Sequence, residues 1–148
     1  MVAGSNPVQQ PLLTPIPNQT PSEDYVTEFR VEIYTPPYLQ GNAQRPTDVV
    51  LSSKALTANG SQFTVSFTAP GGNTVCKVVL YHGGYVTHAL HMGLRMLFLD
   101  TDGYAAGATE QTLTVTMPPN NNLAQPGPYM VFVTCDGVPA IGQFVMVS

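Results

Sequence analysis

The chain is short of charge. Only 9% of its 148 residues are Asp, Glu, Lys or Arg, against about a quarter in ordinary soluble proteins. Five cations against nine anions leave a formal net charge of −4. So few scattered cations cannot build the basic face that phosphate recognition needs, which excludes nucleic acid as a partner. Tryptophan is absent, and with it a common flat platform for sugars. No apolar run approaches the ~20 residues of a membrane span. Two cysteines are too few for a Cys-rich zinc or iron–sulfur site. There is no Gly-x-Ser-x-Gly elbow and no phosphate loop. Asp100 and Asp102 flank Thr101 before Gly103 but lack the downstream oxygens of a calcium loop, so they read as a turn.

What remains is an apolar fraction of 43%, enough for a real core and contrary to wholesale disorder. Low charge also leaves little self-repulsion, so association is easy. The opening, Met1 to Gln10, has no basic segment followed by an apolar one and reads as the interior of something longer rather than as a signal peptide. Two glycosylation sequons occur, Asn18-Gln19-Thr20 and Asn59-Gly60-Ser61. Each alone is a weak signal. Together with the low charge and a pair of cysteines they point to a secreted, oxidising setting.

Composition divides the chain into two parts. Residues 1–24 carry Pro7, Pro11, Pro15, Pro17 and Pro21, a density that forbids helix and favours an extended arm. From residue 25 to 148 the pattern is that of strands. Phe29, Val31 and Ile33 alternate with Arg30, Glu32 and Tyr34; Phe63, Val65 and Phe67 alternate with threonine and serine; Leu113, Val115 and Met117 alternate with threonines. This period of two predicts half-buried strands. Further strands are expected over 47–53, 74–81, 85–89, 95–100, 129–135 and 141–147. Turn signals separate them, among them Asn59-Gly60, His82-Gly83-Gly84 and Asp136-Gly137. Many short strands in about 120 residues predict an all-β, immunoglobulin-like β-sandwich. Tyr129, just after Pro126-Gly127-Pro128, fits either a tyrosine corner or an ordinary strand aromatic.

Cys76 lies near the start of one strand and Cys135 near the end of another. If those strands are antiparallel neighbours, the sulfurs lie side by side and a bridge closes a long loop. The alternative is two buried free thiols.

Three stretches together carry a family resemblance. They are Thr27 to Leu39 (TEFRVEIYTPPYL) followed by Arg45-Pro46; Tyr85-Val86-Thr87-His88-Ala89 followed by Arg95; and Pro126 to Val133 (PGPYMVFV) followed by Gly137-Val138-Pro139. In this order and spacing, residues 27–148 resemble the C-terminal early-set domain of galactose oxidase and glyoxal oxidase, the copper radical oxidases, and Met1 to Pro7 looks like the propeller strand before it. The resemblance implies a copper centre beside a Tyr–Cys radical cofactor that oxidises a primary alcohol or an aldehyde and makes hydrogen peroxide. It implies that His88, on a loop reaching into the propeller, is one copper ligand, with the other ligands upstream. Two positions depart from the family: Leu94 precedes Arg95 where Gln is common, and His91 stands where Asn is common. One or two imidazoles, His88 and His91, give no closed or catalytic site by themselves.

Two classes of function follow, with a weaker third. The chain is either the non-catalytic C-terminal sandwich of a secreted oxidase, partnered by its own upstream propeller and binding copper only in that intact protein, or a self-assembling extracellular structural protein. In the second case the arm, with Val2, Val8, Leu12, Leu13 and Ile16, adds to an open sheet edge of another copy. The third is a carbohydrate-binding module using tyrosines in place of tryptophan.

Overall fold

A computed structural model describes residues 2–5, 11–14, 26–72 and 75–148. The chain divides into two compact units, Met1–Gly41 and Asn42–Ser148. Among the described residues no helix is long and apolar enough to cross a membrane.

In the first unit β1 (Val2–Ser5) pairs antiparallel with β2 (Glu28–Glu32), Val2 opposite Glu32 and Ala3 opposite Val31. Leu12 and Thr27 are joined twice: the Thr27 N–H donates to the Leu12 carbonyl, and the Leu12 N–H to Thr27 Oγ1, both at 2.8 Å. A single 3-10 turn follows at Pro37–Leu39. The half-burial expected of the Phe29–Ile33 strand is not found: Phe29, Val31 and Ile33 are 64%, 59% and 84% exposed. Alternation specifies a strand, not what covers its face.

The second unit is a curled sheet in the order β3-β5-β10-β9-β6-β11-β13-β4, with β12 also pairing β11; its pairs are antiparallel except β13 with β4, which is parallel. These strands are β3 (Thr47–Leu51), β4 (Ala55–Leu56), β5 (Gln62–Thr68), β6 (Cys76–His82), β9 (Arg95–Asp102), β10 (Glu110–Thr116), β11 (Gly127–Cys135), β12 (Val138–Pro139) and β13 (Gln143–Val147). Two further strands, β7 (Tyr85–Thr87) and β8 (Leu90–Met92), form a separate hairpin between β6 and β9. The long strand β9 folds the sheet into two layers. Its first part, Arg95 to Leu99, pairs with β6, and Asp100 to Asp102 pairs with β10.

Alternate residues meet between the layers. Phe63, Val65, Phe67, Leu113, Val115 and Met117 come from one side, and Val78, Leu80, Tyr129, Val131, Val133, Val145 and Val147 from the other. Burying such side chains contributes ~1.5–3 kcal/mol each and is the main force holding the sandwich. The polar alternates remain outside, and no buried side-chain nitrogen or oxygen among the described residues lacks a partner.

Candidate functional site

His88 stands at the tip of the β7–β8 hairpin. Residues 85–89, expected as one strand, instead turn back at His88. The register is Tyr85 opposite Met92, Val86 opposite His91 and Thr87 opposite Leu90, leaving His88 and Ala89 as a two-residue loop. Both have positive φ, 51° and 60°. This is the backbone of a type I′ turn, which matches the twist of a hairpin but normally calls for Asn-Gly or Asp-Gly. The same sandwich shows the ordinary solution between β11 and β12, where Asp136 (φ 49°) and Gly137 (φ 85°) make the turn. His88-Ala89 adopts that conformation without a glycine, at a cost of roughly 1–2 kcal/mol per L-residue.

The imidazole of His88 is exposed, and its Nδ1 lies 2.8 Å from Thr87 Oγ1. With Nδ1 engaged, Nε2 is the nitrogen presented outward. A hydrogen bond on one ring nitrogen that fixes the other for a metal is the usual arrangement of a ligating histidine. The donor therefore fits one corner of a copper(II) site, which favours imidazole nitrogen. Among the described residues no three His, Cys, Asp or Glu gather into a metal-holding group. Much of the finger's surface is apolar: Tyr85, Val86, Leu90, Met92 and Leu94 are all exposed, with His91 among them.

The finger leaves the sandwich through a narrow neck. Gly84 (φ +63°) lies so close to the returning strand that a Cβ there would fall 2.1 Å from the Met92 carbonyl oxygen. Across the neck, His82 Nδ1 is 2.9 Å from the Gly93 carbonyl oxygen and His91 Nε2 is 2.8 Å from that of Gly83. Below it, the Arg95 guanidinium donates to the carbonyls of Asn122 and Leu123 at 2.8 and 2.6 Å. The buried Tyr129 ring packs against His82 with centroids 4.9 Å apart, and its hydroxyl is hydrogen-bonded by the Gln125 backbone, the signature of a tyrosine corner.

The remaining predicted residues fall elsewhere. Cys76 and Cys135 are joined by a disulfide between β6 and β11. Asn59 is exposed in a tight turn; its Oδ1 accepts the Ser61 N–H at 3.0 Å, and the Gly60 N–H donates to the Pro118 carbonyl. Because the 118–124 segment is also held by Arg95, this sequon emerges at the same end of the sandwich as the finger. In the arm, Leu13 is exposed and Leu12 is bonded to Thr27. Val8, Ile16, Asn18 and the side chain of Val2 lie outside the described residues. Reasoning from sequence singled out His88 but passed over the neck-bracing roles of His82 and His91, for which the only signal was glycine on both flanks of the hairpin.

The geometry defines an all-β sandwich that projects one metal-competent histidine on an apolar finger. The chain belongs to the galactose oxidase-like early set domain family, whose model matches residues 45–147. It is 28% identical over 130 residues to "Aldehyde oxidase GLOX1" of Arabidopsis thaliana, covering 84% of this chain and 21% of that protein. It is 30% identical over 125 residues to "Aldehyde oxidase GLOX" of Vitis pseudoreticulata, covering 82% and 24%. A fungal alcohol oxidase described as catalytically diverse among the AA5 family, solved in complex with copper, superposes with a TM-score of 0.64 at 27% identity, over 82% of this chain and 24% of that one. The chain thus spans less than a quarter of the length of each of these relatives.

Proposed function

We propose that this chain is the C-terminal sandwich of a secreted copper radical oxidase, a domain that caps an upstream propeller and inserts His88 as one copper ligand. One observation carries the reading: His88 is held at the tip of a strained hairpin with Nε2 outward and apolar residues around it. An exposed apolar finger is costly in water and suited to an enclosed channel. The relatives, named as aldehyde oxidases and a copper-bound alcohol oxidase, support the assignment of the ligand's metal. Copper beside a Tyr–Cys radical cofactor would supply the oxidation of a primary alcohol or an aldehyde with release of hydrogen peroxide. This chain's part is to orient one imidazole through Thr87 and to exclude water with Tyr85, Val86, Leu90 and Met92.

Secretion accords with the disulfide and with the exposed Asn59 sequon. The denatured mass of the protein from its natural source tests the reading. A covalent chain several times heavier than 15.8 kDa, with copper content and peroxide production lost in His88→Ala, is the expected result. A native chain of 15.8 kDa with no companion subunit would sink it. Asn59→Gln should remove one glycan's mass from material secreted by a eukaryotic host.

A second reading is favoured by one feature. Met96 and Phe98 of β9 and Phe144 and Met146 of β13 are exposed on the outer face of the sheet, with Tyr81, Met130 and Phe132 between them only partly covered. Such a face invites association with other copies, joined through the N-terminal arm. Deleting residues 1–22 and measuring particle size tests this: unchanged assembly rules the arm out as connector.

A further inference from the structure

Three histidines lie within ten residues of one another, yet they hold different positions on the finger. His82 closes β6 below the neck, His91 lies in β8 above it, and His88 occupies the tip. His82 reaches from the outgoing chain to the carbonyl of Gly93 on the returning chain. His91 reaches from the returning chain to the carbonyl of Gly83 on the outgoing one. Carbonyl oxygens only accept, so the nitrogen facing each must carry a proton. The Gly84 N–H also stands 3.3 Å from His82 Nδ1, a longer approach that cannot be a bond while that nitrogen donates to Gly93.

We infer that His82 and His91 form a reciprocal clamp across the neck of the finger, acting as hydrogen-bond donors to backbone and as positioning residues for His88. The inference deepens the proposed role of His88 and rests on it for its functional meaning. Its physical basis is local. The neck is where the finger could pivot: two glycines, Gly83 and Gly84, lie on one side and Gly93 on the other. Glycine permits the close approach there but loosens the backbone. Two crossed bonds, one from each chain, restrain rotation in both senses, and the packing of Tyr129 on His82 ties the clamp to the core. A ligand at a hairpin tip is displaced by any tilt at its base, so the clamp sets where the His88 ring arrives.

The clamp makes a sharp demand on tautomers. His82 must be the Nδ1–H form and His91 the Nε2–H form, opposite choices in one small loop. Long-range proton–nitrogen correlation spectra of the 15N-labelled chain, recorded at alkaline pH, read both directly. The expected result is these two tautomers; an Nδ1–H form at His91, or rings averaging between forms, overturns the inference. Amide exchange supplies a second readout. His91→Leu should speed exchange of the β7–β8 amides by roughly two- to tenfold, the value of one modest hydrogen bond, and leave Val79 and Val131 unchanged. His91→Asn, which keeps an N–H donor, should restore most of the protection. Equal damage from Leu and Asn would also overturn it. His88→Ala should change neither readout, so the clamp can fail while the copper reading stands, and the reverse.

Discussion

Cys76 stands directly opposite Cys135 across the β6–β11 pair, their Cα atoms 4.2 Å apart and their sulfurs bonded. The other end of the same pairing sets Tyr81 against Met130, next to the neck of the finger. The disulfide therefore lies at the end of the sandwich remote from His88. It closes a sequence separation of 59 residues, for which loop-closure entropy gives ~2–4 kcal/mol of stabilisation. Replacing both cysteines by alanine should lower the unfolding free energy by that amount, read as a lower urea midpoint, while finger amides exchange at their native rates under native conditions. An unchanged midpoint would show that the bridge contributes nothing.

Much of the sandwich was legible in the sequence because its strands obey the simplest rule. Phe63, Val65 and Phe67, like Leu113, Val115 and Met117, alternate in sequence and are buried in the fold. The same rule overreached at Phe29, Val31 and Ile33, since alternation encodes a strand and not the layer that covers it. β4, β8 and β12 are two or three residues long, too short for any period to be visible. His88 was found through a family motif. His82 and His91 were not assigned their roles, because bonds from a ring to backbone carbonyls impose no pattern on the residues that accept them.

The turn at the finger's tip predicts a stabilising substitution. Ala89 has φ 60°, a region that an alanine side chain disfavours and glycine enters freely. Ala89→Gly should stabilise the hairpin by about 0.5–1 kcal/mol, the relief of strain outweighing the greater entropy of glycine in the unfolded chain. Ala89→Val should destabilise it, because a β-branched residue tolerates this backbone least. Exchange rates of the Thr87 to Leu90 amides check both. A slower hairpin with valine than with glycine would contradict the assigned turn.

In the first unit, Glu28 and Arg30 form a forked ion pair, with Arg30 Nε 2.9 Å from both carboxylate oxygens and Nη2 2.6 Å from one. The hydrogen bonds from the Arg30 side chain and then from its backbone N–H hold the Glu28 carboxyl down to about 2, from an ordinary 4.5. The sign follows from the lowered value. The pair's contribution is complete above pH 4.5 and is lost as the pH falls toward 2. Both side chains face solvent, so salt should weaken the effect. A carbon-13 titration of the Glu28 carboxyl should give a midpoint well below the ordinary 4.5. Arg30→Gln should return it most of the way, since only the backbone donor survives. A Glu28 midpoint at the ordinary value would argue against the pair.

Tyr129 couples the sandwich to the finger, since its ring touches His82 and its hydroxyl is bonded by the backbone of Gln125. Tyr129→Phe keeps the ring and deletes the hydroxyl, so it should cost about 0.5–1.5 kcal/mol, one hydrogen bond, and leave the neck in place. Tyr129→Leu removes the ring contact as well and should also speed exchange in the β7–β8 hairpin. Burial pushes the Tyr129 phenol up from 10.0. The unfolded chain then releases this proton first as the pH climbs, so native stability should decline above pH 10. Tyr129→Phe should lose that share of the decline. Denaturation curves of the two proteins at neutral and alkaline pH separate the terms: a constant gap between them at every pH would show that the phenol titrates alike in the folded and unfolded chains.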